Sequence, residues 1–207
     1  MTERIGGMAR DVSTLPPDLP VPKDDGAADH LRGAAVPSLA LASTSGASID
    51  LARLAAAPAV LFFYPRTGGR GKSSGPEWDL IPGARGCTPQ GCGFRDLHAE
   101  FRVLGVTVAG ISTQTTAYQR EFVERNHIPF DLLSDAALAL TRALQLPTFE
   151  WAATEWAAGE GGPTTLIKRM AWYVDGGRIG HVWYPVFPPD RNAETVLAWL
   201  RAQSGKS

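Results

Sequence analysis

Two cysteines, Cys87 and Cys92, are the residues of this chain best suited to redox chemistry. They lie five positions apart and are its only cysteines, which is not the framework of a disulfide-rich secreted protein. A cysteine reacts as its thiolate, and a free thiol with a pKa of roughly 8.5 is mostly protonated at neutral pH. A reactive cysteine therefore needs surroundings that favour the anion.

The residues that follow Cys87 predict a helix that would supply such surroundings. Apolar side chains recur at spacings of three and four from Phe94 to Leu104. Cys87 would then lie in the first turn, where unpaired backbone N–H groups and the positive end of the macrodipole favour an anion. Arg85 or Arg95, or a cation from elsewhere in the fold, would favour the thiolate further.

The same helix would hold Cys87 and Cys92 too far apart to bond. Cα atoms five residues apart on an intact α-helix are separated by roughly 8 to 9 Å, whereas a disulfide tolerates about 7 Å at most. If the two cysteines pair, the first turns must unwind, and the glycines and proline between positions 86 and 93 make a poor helix. Spacing alone also leaves open that both cysteines are buried residues without chemistry.

The elements around the cysteines predict an α/β fold. Residues 59–64 form a continuous apolar run that is typical of a central strand buried on both faces. Strand-like and helix-like segments then alternate up to about residue 144, and two apolar runs joined by glycines 176–177 predict a hairpin. A C-terminal helix is expected to be capped by Asp190 or Asn192. We therefore expect a sheet with helices on both faces.

The chain is expected to form one domain preceded by an arm. Residues 1–35 are rich in Pro, Asp and Gly without hydrophobic periodicity, which predicts a partly flexible N-terminal arm. Residues 36–207 are expected to be a single domain, since an apolar content of 44% is enough for one core. Residues 66–86 form a long Gly-, Ser- and Pro-rich stretch, and its length indicates an insertion or a function.

Charge and motif spacing argue against several function classes. A net charge of −1 with interspersed signs lacks the basic stripe of nucleic-acid-binding proteins. The N-terminus lacks the apolar segment of an export signal, and no apolar run could span a bilayer, so we expect a cytoplasmic protein without a membrane partner. The glycines near Lys72 do not have phosphate-loop spacing, and a zinc site would have only His98 beside the cysteines. Neither a cofactor nor a metal is therefore expected.

The residues around the cysteines resemble one protein family. Residues 87–96, CTPQGCGFRD, are similar to the C-T-x-Q-x-C-x-F-R-D signature of the PrxQ (bacterioferritin comigratory protein) branch of peroxiredoxins, in the AhpC/TSA superfamily. Residues 63–65 precede this signature, and residues 108–112 and 129–135 follow it, in the order expected of that family. The resemblance extends from about residue 36 to residue 200.

This resemblance implies a thioredoxin-like fold, a central mixed β-sheet flanked by helices, and a thiol peroxidase. Cys87 would be oxidised to a sulfenic acid by hydrogen peroxide or an organic hydroperoxide, and Cys92 would resolve it as an intramolecular disulfide. Thioredoxin or a similar dithiol reductant would recycle the protein, as a monomer or weak homodimer. Arg169, which matches the arginine of the family's R-x-T-F-x-I-D strand, would stabilise the thiolate and orient the peroxide. The alternative for Arg169 is a solvated arginine at a strand end.

The chain departs from the family pattern just before Cys87. The family joins its proline and cysteine by a short P-x-x-x-T-x-x-C loop, whereas the residue three before Cys87 is Ala84. Pro65 is expected to form a wall of the site, and Thr67 or Thr88 to supply the missing peroxide-binding hydroxyl. A lid over the site is one role for the inserted residues.

Two other redox functions are alternatives to peroxidase activity. A thioredoxin-type disulfide oxidoreductase would normally carry a C-x-x-C pair, which this chain lacks. A redox sensor would use the same disulfide as a switch and stop after one oxidation. An enzyme would instead consume peroxide repeatedly, so turnover separates the sensor from the peroxidase.

Overall fold

A seven-stranded mixed sheet forms the centre of the computed structural model, which describes residues 15–68, 76–151 and 165–205. The strands are β1 (Ala40–Ser43), β2 (Ser48–Asp50), β3 (Ala59–Phe63), β4 (Thr107–Ser112), β5 (Leu132–Ser134), β6 (Thr148–Glu150), β7 (Thr165–Ile167), β8 (Met170–Asp175) and β9 (Arg178–Trp183). The helices are α1 (Leu51–Leu54), α2 (Pro76–Asp79), α3 (Cys87–Asp96), α4 (His98–Val103), α5 (Thr116–Asn126), α6 (Ala139–Ala143) and α7 (Asn192–Ser204).

The strand order in the sheet is β2-β1-β5-β4-β3-β8-β9. Strands β3, β4 and β5 pair in parallel, and the remaining neighbours pair antiparallel. Strands β6 and β7 form a separate two-stranded ribbon. The predicted mixed sheet flanked by helices is confirmed, and so is the hairpin, which β8 and β9 form around the two glycines.

The central strand β3 separates two apolar cores. Every residue of Ala59–Phe63 is buried, as the apolar run predicts, and alternate side chains point to opposite faces of the sheet. Phe62 stacks on Phe94 of α3 at a centroid distance of 4.4 Å. Phe63 packs against Trp172 of β8 on the other face, at 4.2 Å. Helix α3 is therefore held against the sheet by aromatic packing.

The predicted continuous helix through Phe94 and Leu104 is wrong, because the structure contains two helices there. Leu97 leaves helical geometry, with φ −98° and ψ 6°, and separates α3 from α4. Phe94 and Phe101 are nevertheless both fully buried in the same core. An interruption of a single residue leaves the apolar spacing intact, so the sequence pattern does not reveal it.

The described part of the predicted arm packs along the edge of the sheet. Residues 29–31 form a 3-10 turn in which Leu31 is fully buried. The backbone N–H of Ile179 in β9 donates to Ala34, and that of Gly33 donates to Ile179. Residues 1–14 of the arm lie outside the described residues, as do residues 69–75 of the predicted insertion.

Two features are absent from the ranges that the structure describes. No helix within them is long and apolar enough to cross a membrane. The same residues contain no group of three or more His, Cys, Asp or Glu that could hold a metal ion.

Candidate active site

Gly86 determines how the chain enters helix α3. Its φ is +104°, in the left-handed region that L side chains rarely adopt, and a Cβ at this position would overlap the ring of Pro189. Glycine therefore allows the chain to turn directly into the helix with Cys87 as its first residue. Cys87 is 4% exposed and lies in the first turn, as predicted.

The sulfur of Cys87 is surrounded by hydrogen-bond donors. Nη2 of Arg169 lies 3.2 Å from it, and the backbone N–H of Arg66 donates to it at 3.4 Å. The thiol in turn reaches the carbonyl oxygen of Ala84 at 3.5 Å. Donors to a sulfur atom favour its anionic form, and a guanidinium donor adds charge to the hydrogen bond. This pocket can accommodate a thiolate at the start of α3.

Arg169 is buried, and its guanidinium is fixed by hydrogen bonds. Only 2% of the residue is exposed, which differs from a solvated arginine at a strand end. Besides the sulfur, it donates to the carbonyl oxygens of Gly83 at 3.2 Å, Ala84 at 3.0 Å and Arg85 at 3.2 Å, and to the side-chain oxygen of Gln90. The residue directly before β8 and the loop before α3 therefore meet at this one side chain, and the structure brings Arg169 and Cys87 together.

Gln90 is a residue of this site that sequence reasoning missed. Its side chain is fully buried; its oxygen accepts from Arg169, and its nitrogen donates to Oδ1 of Asn192 at 3.0 Å. Asn192 is the first residue of α7, and the N-cap position belongs to Arg191 without a side-chain hydrogen bond. The predicted caps at Asp190 and Asn192 are therefore wrong, since the Asn192 amide is used for contact with α3. The glutamine in the C-T-x-Q-x-C signature could have identified Gln90 as a residue of the site.

A small cavity of about 20 Å³ adjoins Cys87. Its lining residues, besides Cys87, are Arg66, Gly68, Trp78, Arg85, Gly86 and Thr88. The structure thus brings Thr88 to the cavity. The hydroxyl and backbone N–H of Thr67 instead donate to Oε1 of Gln114 at 3.1 and 3.0 Å. Pro65 is buried directly before Arg66, whose N–H reaches the sulfur.

The inserted segment contributes to this cavity from its described end. Helix α2 carries Trp78, which is 3% exposed, and Asp79, which pairs with Arg85 at 3.5 Å. Both Trp78 and Arg85 line the cavity beside Cys87. Sequence reasoning considered Arg85 as a neighbouring cation and a lid as one role of the insertion. It did not identify Trp78, because no local pattern shows which inserted side chain reaches the cysteine.

Cys92 lies one and a half turns further along α3 in different surroundings. It is half-buried, and its thiol points to Oδ1 of Asn126 at 3.8 Å. Burial raises the pKa of the Cys92 thiol, and the cations Arg95 and Arg125 partly oppose that shift. Both cysteines are free, and α3 is continuous between them. The helical geometry separates their Cα atoms by roughly 8 to 9 Å, so a disulfide requires α3 to open.

Comparisons with known proteins match both the sequence and the fold. Residues 31–197 match the family model described as Redoxin. The protein named peroxiredoxin Q, chloroplastic, from Oryza sativa subsp. japonica is 28% identical over 172 residues, which cover 83% of this chain and 67% of that protein. The crystal structure of peroxidoxin BcpB from Mycobacterium tuberculosis has a TM-score of 0.63 and 28% identity, covering 83% of this chain and 96% of that one.

A second solved structure, peroxiredoxin Q from Xanthomonas campestris, has a TM-score of 0.60 at 25% identity and covers 89% of this chain and 97% of that chain. The family match extends over most of the sequence and includes the strand of Arg169 as well as the helix of Cys87. The chain therefore belongs to the redoxin family, as a PrxQ-like peroxiredoxin of the AhpC/TSA superfamily, and is a thiol peroxidase.

Proposed function

We propose that this peroxidase works through an intramolecular disulfide between Cys87 and Cys92, which thioredoxin or a similar dithiol reduces. The observation that carries the proposal is the contrast between the two sulfur atoms on one helix. Donors from Arg169 and Arg66 contact the sulfur of Cys87, whereas the sulfur of Cys92 has a carboxamide oxygen as its neighbour. The sulfur of Cys87 is suited to react as a thiolate, and the sulfur of Cys92 is suited to remain a thiol until the disulfide forms.

The first step uses the thiolate of Cys87. It attacks the terminal oxygen of the hydroperoxide, an S–O bond forms, and the O–O bond breaks. The leaving oxygen takes up a proton and departs as water or an alcohol, while Cys87 becomes a sulfenic acid. Arg169 is well placed to stabilise the negative charge as it moves from sulfur to the leaving oxygen, because its guanidinium contacts the sulfur and is held rigidly.

The second step joins the two cysteines. The Cys92 sulfur attacks the sulfenic sulfur, an S–S bond forms, and the hydroxyl leaves as water with the proton of the thiol. Helix α3 must open for this, so the contacts of Gln90 with Arg169 and Asn192 have to break. A dithiol reductant then supplies two electrons and two protons and returns both cysteines to thiols.

Location and assembly are proposals of the same kind. We propose a cytoplasmic protein that acts as a monomer or weak homodimer, without a nucleic-acid or membrane partner. The mixed charge supports the lack of a nucleic-acid partner, and the plant relatives are named as chloroplastic. Cell fractionation and size-exclusion chromatography across a range of protein concentrations test the two parts separately.

The deciding experiment is peroxide consumption by the purified protein with thioredoxin, thioredoxin reductase and NADPH. Wild type should turn over repeatedly, Cys87→Ser should be inactive, and Cys92→Ser should consume about one peroxide per protein when no other thiol is present. Full turnover by Cys92→Ser with thioredoxin alone would contradict the intramolecular disulfide. A wild-type protein that forms the disulfide once and stops would instead be a redox sensor.

A further inference from the structure

Trp78 forms a rigid apolar wall beside the reactive cysteine. Its ring meets that of Trp151 at 5.1 Å and nearly at a right angle, and lies 6.1 Å from the ring of Phe149 on β6. It also packs in a buried cluster with Ala84 and Leu166. Because aromatic neighbours hold the indole from behind, it cannot swing away from Cys87 without disturbing this cluster.

The space that remains in front of Trp78 is very small. The cavity at Cys87 measures about 20 Å³, while a site for a single water needs about 10 to 15 Å³. Of the described residues that line it, Trp78 is the one large apolar side chain; two others are glycines, and Thr88 is small. The cavity therefore fits the two oxygens of hydrogen peroxide, and Trp78 borders the space that a substituent would need.

The chemistry of the reaction makes that substituent important. The thiolate of Cys87 attacks the terminal oxygen, so any organic group is attached to the second oxygen, one bond further away. That group must lie in the cavity or pass beside the residues that line it, Trp78 among them. In hydrogen peroxide this position holds only a hydrogen atom.

A larger apolar cavity nearby does not offer an alternative place for the organic group. It measures about 270 Å³ and is lined by Ile81, Phe149 and Val186, among others, but not by Cys87. Arg169 belongs to its lining and also contacts the sulfur. The guanidinium that contacts the sulfur donates to Gly83 and Ala84, and Gly83 also lines the larger cavity.

We propose that Trp78 is a specificity-determining residue that restricts this peroxidase to hydrogen peroxide and similarly small hydroperoxides. The proposal rests on Cys87 being the peroxidatic cysteine. The residue comes from the inserted segment, so the restriction belongs to this chain and is not carried by the C-T-x-Q-x-C signature. It narrows the substrate class expected from the sequence, which was hydrogen peroxide and organic hydroperoxides.

The test compares kcat/KM for hydrogen peroxide and for cumene hydroperoxide in wild type, Trp78→Ala and Trp78→Phe. Wild type should prefer hydrogen peroxide by at least about tenfold, since a blocked pocket discriminates on this scale. Trp78→Ala should reduce that preference by about tenfold, mainly through faster reaction with cumene hydroperoxide. Trp78→Phe, which keeps an aromatic ring in the cluster, should give an intermediate value and serves if the alanine variant does not fold.

Leu166→Ala is the matched control, because Leu166 belongs to the same buried cluster and does not line the cavity. It should leave the preference unchanged. Equal preferences in wild type, or a loss of preference in Leu166→Ala as large as in Trp78→Ala, would overturn the proposal. Absence of hydrogen peroxide turnover in wild type would instead reject the peroxidase mechanism itself, so the two failures are distinguishable.

Discussion

Cys87 and Cys92 lie on the same helix, yet their sulfur atoms have different polar neighbours: two hydrogen-bond donors and a carbonyl oxygen contact Cys87, and a carboxamide oxygen contacts Cys92. Cys87 is almost fully buried at the N-terminus of α3, and its sulfur accepts from the guanidinium of Arg169 and the amide of Arg66. Cys92 is half-buried beyond the first turn, and its sulfur donates towards the carboxamide oxygen of Asn126. The Arg169 guanidinium and the helix dipole favour a thiolate at Cys87. At Cys92 the effect of the dipole has fallen off, and the cations Arg95 and Arg125 only partly oppose the effect of burial.

Two chemically identical thiols on one helix can take different roles because their surroundings differ. In the mechanism that we propose, Cys87 attacks the peroxide, and the donors to its sulfur are already in place in the resting protein. In the same mechanism Cys92 reacts only after α3 opens, and the burial that raises the pKa of the Cys92 thiol favours the thiol form in the resting protein. The two cysteines therefore differ less in burial than in the hydrogen-bond donors that contact the sulfur of Cys87.

The largest effect on this contrast is expected from Arg169→Met, which removes the cation from Cys87. The rate constant for oxidation of Cys87 should fall by a factor of about 100 to 1,000, as for the loss of a donor that stabilises a transition-state charge. Stopped-flow measurement of a single oxidation in the Cys92→Ser background isolates this step from resolution and recycling.

Arg169→Lys separates the charge of Arg169 from its geometry, because lysine keeps the positive charge and lacks the planar guanidinium that contacts several acceptors at once. Its rate constant should lie between those of wild type and Arg169→Met. An Arg169→Met protein that is folded, by circular dichroism, and oxidised at the wild-type rate would show that the helix N-terminus alone activates Cys87.

A smaller effect is expected from Gln90→Leu, which removes the acceptor that orients Arg169. The rate constant for oxidation should fall by about tenfold, equivalent to about 1.4 kcal/mol, because the cation remains but is less well fixed. Asn192→Ala is its matched control, since it breaks only the far hydrogen bond of the same side chain.

Leaving the buried amide of Gln90 without its partner should cost about 1 to 3 kcal/mol of stability in Asn192→Ala, measured by urea unfolding. The rate of oxidation should change much less than in Gln90→Leu. Equal losses of rate in the two variants would mean that Gln90 acts by docking α7 against α3 and not by orienting Arg169.

Local sequence patterns predicted the elements on which these residues lie. The apolar run became β3, the glycine pair became the turn between β8 and β9, and Cys87 begins α3 as the helical spacing indicated. These features depend on side-chain type over a few neighbouring positions. The break at Leu97 was missed because the apolar spacing continues across it.

The contacts between distant positions could not be read in the same way. Arg169 was identified only through the family likeness, since 82 positions separate it from the sulfur it contacts. Trp78 was missed because its position depends on packing against Trp151 and Leu166, which lie far along the chain. Thr67 was a reasonable candidate by type, but its hydroxyl is taken by Gln114. Sequence spacing therefore predicts the helices and strands, whereas the arrangement of the site residues depends on tertiary packing.

The smallest expected effect concerns Cys92 and tests the other half of the contrast. In the Cys87→Ser background, the pH dependence of iodoacetamide alkylation reports the pKa of the Cys92 thiol, which should be higher in the folded protein than in urea because burial disfavours the thiolate. Arg95→Gln should raise this pKa further, since Arg95 is the largest opposing cation, whereas Arg102→Gln, an exposed arginine on α4, should not. A folded-state pKa below that in urea would mean that Cys92 is also activated in the resting protein, and the division of roles along α3 would then rest on Arg169 alone.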